Sequence, residues 1–77
     1  MKELIEYIAR AIVDSPDEVV VRMEEDGDRV IFFLTVAEPD MGKVIGKQGR
    51  IANAMRTLLK VAAARSGVRR ASLEIGE

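Results

Sequence analysis

A chain of 77 residues has room for one small core, and 48% hydrophobic with 32% charged residues excludes a disordered tail. The absence of cysteine excludes a disulfide framework and a thiolate metal site, and no apolar run approaches membrane-spanning length. The net charge of −1 conceals an asymmetry: residues 1–40 carry four basic and eleven acidic side chains (−7), residues 41–77 eight basic and two acidic (+6). Such segregation is either a solvated surface with its signs parted by accident or the field of a binding face, and binding depends on the local field rather than on the total.

Taken in chain order, residues 2–14 place Leu4, Ile5, Ile8, Ala9, Ile12 and Val13 at helical spacing, so the first element is an amphipathic helix lying on a sheet. Tyr7 on this helix is expected to be partly buried rather than to stack on a ligand. Ser15-Pro16-Asp17 stops the helix, because proline disfavours helical geometry in the residue before it. Val19–Met23 and Val30–Val36, rich in β-branched and aromatic residues, are two strands. The run 24–29 between them contains Asp26-Gly27, a favoured hairpin pair. Its acidic residues lack the spacing of a calcium loop, so no metal is expected there.

Glu38-Pro39-Asp40 breaks the chain before a short helix over 41–45, with Asp40 as the expected N-cap. Gly42 is costly inside so short a helix. Either its missing side chain leaves room for a base or ribose, or it allows close packing on the next helix. Residues 50–66 form the longest helix. Ile51, Met55, Leu58, Leu59 and Ala62 make its apolar stripe, with Ala54 and Val61 widening one flank and Ala52 and Ala63 the other. The extra alanines are either simple helix formers, or Ala54, Leu58 and Val61 pack against a second copy. Gly67 suits the left-handed position past the helix end. Residues 68–75, alternating Ala71, Leu73 and Ile75 inward, make a third strand. The succession is αββααβ, an α+β architecture in which helices cover a three-stranded sheet.

The stretch that joins the two later helices, Val44-Ile45-Gly46-Lys47-Gln48-Gly49-Arg50-Ile51, carries the most specific signal. Two glycines bracket a Lys-Gln pair, and the second opens onto a helix whose N-terminus offers free N–H donors and the positive end of a dipole. Lys43, Lys47 and Arg50 add charge at the same point. Read physically, this is a phosphate clamp.

Gly46-Lys47-Gln48-Gly49 set in this apolar frame, at this position in a chain this short, resembles the signature of the KH (K-homology) RNA-binding domain. The whole chain is similar to the small bacterial single-KH RNA-binding proteins, with the αββααβ order of type II. The resemblance implies one KH domain over residues 1–77, gripping about four nucleotides of single-stranded RNA through the Gly46–Gly49 loop. It further implies a post-transcriptional regulator or RNA chaperone. The RNA-binding set expected is Gly42, Lys43, Ile45, Gly46, Lys47, Gln48, Gly49, Arg50 and Arg56, with Val44 and Ile51 in the core that fixes the loop. Self-association, for which the flank of Ala54, Leu58 and Val61 is the candidate surface, and pairing with a second KH protein of the KhpB (Jag) type are also implied.

Enzyme readings fail on parts. Histidine and cysteine are absent, and Ser15, Ser66 and Ser72 lie near turns or strand ends without a base. A Walker A loop needs Gly-x-x-x-x-Gly-Lys-Ser/Thr, whereas Gly42 and Gly46 are one residue too close and Gln48 follows Lys47. No catalytic residue, cofactor, small-molecule substrate or metal is expected. Met1-Lys2-Glu3-Leu4 opens without the apolar run of a signal peptide, so the expected location is the cytoplasm.

Overall fold

The computed structural model describes residues 1–76, and of Lys47 the backbone alone. Helix α1 spans Lys2–Ile12. Its apolar residues, three and four apart, turn Ile5 and Ala9 into the core, while Leu4, Ile8 and Ile12 flank them. Tyr7 corrects its expectation: it is 75% exposed on the outer face. The chain becomes extended at Val13 and passes through a single 3₁₀ turn at Pro16–Glu18 into strand β1, Val20–Asp26.

Strand β2, Arg29–Thr35, pairs antiparallel with β1, Val20 opposite Thr35 and Asp26 opposite Arg29. The two residues of the turn are therefore Gly27 and Asp28, one step beyond the expected Asp26-Gly27 pair. Gly27 has φ +64° and Asp28 a negative φ, the sign pattern of a type II′ hairpin with glycine at its first central position. Val30, Phe32 and Leu34 alternate into the core. Ile31 and Phe33 face outward, where the Arg22 guanidinium lies 4.8 Å from the Phe33 ring centre.

A second 3₁₀ turn, Glu38–Asp40, leads into α2, Met41–Arg65. Two successive residues inside this run, Gln48 and Gly49, have φ +63° and +76°. No right-handed helix accommodates that, so α2 is two helical arms, 41–47 and 50–65, meeting at a corner. The expected short helix over 41–45 thus extends through Gly46 and Lys47, and the turn is confined to Gln48-Gly49.

The second arm ends at Ser66. Gly67, φ +78°, sends its N–H to Ala64 O and Val68 its N–H to Ala63 O at 2.9 Å, a Schellman closure. Strand β3, Arg70–Gly76, then pairs parallel with β2, giving a mixed sheet in the order β1-β2-β3. α1 packs on β1 and α2 on β3, and the two helices touch. They cover one face of the sheet around Phe32, Leu34, Val44, Met55 and Leu59. No helix among the described residues is long and apolar enough to cross a membrane.

The second arm's buried line is Ala52, Met55, Leu59 and Ala63, at spacings of three and four. This corrects the expected stripe. The helix is rotated so that Ala52 and Ala63, placed on a flank, face the sheet, while Leu58, placed in the stripe, is 46% exposed.

Candidate nucleic-acid interface

The corner is built from both arms of α2. At about 100° per residue, Gly42 and Gly46 share one face of the first arm, Lys43 and Ile45 stand roughly 80° to either side, and Val44 points opposite. Burial agrees: Val44 is fully buried, Ile45 is 43% exposed, and Ile51 packs against the core from the second arm. A β-carbon placed on Gly42 or on Gly46 would meet no atom within 4 Å. Close helix packing therefore does not account for Gly42. The two glycines leave a bare strip of helix, with an apolar side chain on one margin and an ammonium on the other.

Gln48 occupies the left-handed region without being glycine, a conformation that costs about 1 kcal/mol and is held only where its surroundings enforce it. Sequence reasoning missed this, having assigned the backbone freedom to the glycines alone. Of those two, Gly49 needs a positive φ and Gly46 does not. Gln48 and Arg50 are exposed at the corner. The side chain of Lys47, expected to neutralise a phosphate, lies outside the described residues.

Arg56 faces a different surface. Its Nη1 donates to Asn53 Oδ1 at 3.3 Å and its Nη2 to the carbonyl of Leu73 at 3.4 Å. It thereby ties the second arm to β3, an edge strand. A hollow of about 330 Å³ opens here, lined by Arg56, Leu59, Lys60 and residues 71–74. No described residue of the first arm lines this hollow. The β3 residues Ser72 and Leu73 were not foreseen as part of it, since nothing in an alternating strand marks it as an edge.

Asp40 was expected to cap the first arm with its carboxylate, and it does not. Only 2% exposed, it accepts the backbone N–H groups of Asp14 and Ser15, each at 3.1 Å, and pins the end of α1 beside the start of α2. Asp14 in turn places Oδ2 2.6 Å from Lys43 Nζ. The hydrogen bond to Asp14 holds the Lys43 ammonium above the ordinary lysine pKa, more than offsetting its partial desolvation, with a smaller push from the Asp14 and Asp40 charges. Lys43 is therefore at the corner but engaged.

Ala54, Leu58 and Val61, the residues expected at an interface between copies, lie together on the outer flank of the second arm; Leu58 and Val61 are 46% and 52% exposed.

An αββααβ chain, with a mixed sheet covered on one face and a glycine corner between its last two helices, is a KH domain of type II. Comparison with known proteins carries this further. Residues 2–75 match the family described as KhpA/KhpB, KH domain, and the chain belongs to that family. It is 54% identical over 69 residues to the RNA-binding protein KhpA of Clostridium acetobutylicum, covering 90% of this chain and 92% of that one. To the RNA-binding protein KhpA of Chlamydia pneumoniae it is 48% identical over 77 residues, covering 100% and 97%. Among solved structures, Aquifex aeolicus Era bound to GDP·AlF4⁻ superposes with TM-score 0.64 at 16% identity, over 97% of this chain and 29% of that one. That likeness shows the fold alone.

Proposed function

We propose that residues 1–77 act as a single KH module that grips about four nucleotides of single-stranded RNA at the α2 corner, in the cytoplasm, as a post-transcriptional regulator or RNA chaperone. The observation that carries the reading is the bare strip of Gly42 and Gly46, which are exposed to approach and serve no packing need of the free protein. A polynucleotide backbone lies on the strip, with bases towards Ile45 and phosphates towards Lys43, Lys47 and Arg50. Gln48 and Gly49 turn the chain so that the N–H groups of the second arm face the same phosphates. Arg56 borders the hollow at the sheet edge. The names of the relatives support RNA as the ligand. With no aromatic platform at the corner, base selection rests on fit and hydrogen bonds, and affinity for one module is modest.

The double change Lys47→Asp, Gln48→Asp reverses charge at the corner and leaves the rest of the fold alone. Loss of RNA binding in the folded variant is the expected result; retained binding refutes the clamp.

A second reading, a protein-interaction module working as a homodimer or paired with a KhpB-type KH protein, is favoured by one feature, the exposed flank of Ala54, Leu58 and Val61. The corner variant distinguishes the two. Pairing that survives while RNA binding is lost assigns the functions to separate surfaces.

A further inference from the structure

The RNA reading leaves Asp14 unexplained. A carboxylate beside a phosphate clamp repels the ligand, and nothing about ending α1 requires one, since Asp14 uses only its backbone N–H towards Asp40. The side chain is 77% exposed and free to point into water, yet Oδ2 lies 2.6 Å from Lys43 Nζ. The ammonium it meets is the one that borders the bare strip of Gly42 and Gly46. Buried Asp40 makes this placement reproducible, because its two hydrogen bonds, to Asp14 and Ser15, fix the backbone from which the Asp14 side chain departs.

We propose that Asp14 is a built-in competitor for the RNA backbone: its carboxylate occupies Lys43 in the free protein and is displaced when a phosphate takes its place. The inference rests on the RNA-clamp reading. A carboxylate and a phosphodiester offer the same thing to an ammonium, anionic oxygen acceptors at hydrogen-bond distance. An exposed pair is weak enough to yield to a well-seated strand, so Asp14 lowers affinity without abolishing it. It also alters the salt response. A Lys43 that exchanges one protein-bound anion for another contributes less to the salt dependence than a lysine with no internal partner. Asp14 thus discriminates against loosely held polyanions, and Asp40 is the positioning residue that keeps it in place.

The test is fluorescence anisotropy with a labelled single-stranded RNA of randomised sequence, titrated at several salt concentrations. The proteins are the wild type, Asp14→Asn, Asp14→Ser, Lys43→Gln and Asp14→Asn/Lys43→Gln. Removing the carboxylate in either shape is expected to tighten binding about two- to five-fold at low salt. It should also steepen the slope of log K against log salt by up to ~0.7. In the Lys43→Gln background the same change should give a distinctly smaller gain, the lost repulsion alone, and the difference is the coupling that a double-mutant cycle reads for a direct pair. Unchanged affinity and slope in the Asp14 variants, or a gain that is undiminished without Lys43, overturns the proposal while leaving the clamp intact. A wild type that binds no RNA removes the clamp itself, and this inference with it.

Discussion

A methyl group added at Gly42, Gly46 or Gly49 meets three different circumstances. At the first two it enters open space on ordinary helical backbone; at the third it is forced onto a residue with φ +76°. Helix propensity then predicts that Gly42→Ala and Gly46→Ala each stabilise the fold by about 0.5–1 kcal/mol in urea unfolding. Gly49→Ala should destabilise it by about 1–2 kcal/mol. All three should weaken RNA binding, the first two by covering the bare strip and the third by disturbing the corner. A Gly46→Ala protein that is more stable and binds RNA undiminished would show that the strip is not used. This pairing of gained stability with lost binding separates a glycine kept for a ligand from one kept for the fold. The sequence allowed two readings of Gly42, and the empty volume above it removes the one that rests on close packing. Gln48 was less legible, because its side chain gives no sign that the backbone beneath it is left-handed.

At the scale of elements, what could be read from the chain was what local chemistry controls. Gly67 closes α2 and β-branched runs make the strands, whereas α1 ends at Ile12, ahead of the expected stop at Ser15-Pro16. What could not be read depends on residues far apart in sequence. Asp40 meets the N–H groups of Asp14 and Ser15 across 26 and 25 positions, and no local signal distinguishes such a tie from a helix cap. Asp40→Ala leaves both donors without their acceptor and is expected to cost about 2–3 kcal/mol by urea unfolding. The rotation of the second arm was equally hidden. With alanines on both flanks, the hydrophobic pattern was broad enough to fit two orientations, and tertiary packing on β3 and α1 takes up the one in which Ala52 and Ala63 are buried. Leu58 and Val61 are left on the outside as a result. Leu58→Lys with Val61→Lys should leave monomer stability within about 0.5 kcal/mol, as at any exposed site. If this flank joins two copies, the same change abolishes self-association in sedimentation equilibrium, whereas an unchanged oligomeric state assigns the contact elsewhere.

Over the whole molecule, the opposed charges of the two chain halves become a spatial arrangement. Helix α2 carries Lys43, Lys47, Arg50, Arg56, Lys60 and Arg65 and no acidic residue, whereas Glu24, Glu25, Asp26 and Asp28 of the hairpin lie among Arg22, Arg29, Arg69 and Arg70. On the proposed reading, the basic run of α2 draws a polyanion to the corner although the total charge is near zero. The family was legible in the sequence because the glycine corner and its apolar frame are contiguous. The hollow at the β3 edge was not, since it exists only once α2 is laid beside an edge strand. Amide chemical shifts during titration with single-stranded RNA are the sharpest test of whether the corner of α2 receives the polynucleotide backbone. Gly46, Gln48, Gly49 and Arg50 should shift first and furthest, with smaller changes reaching Gly42 and Arg56. Saturable shifts confined to the outer flank of Ala54–Val61 or to the exposed face of α1, with the corner unmoved, would contradict the clamp.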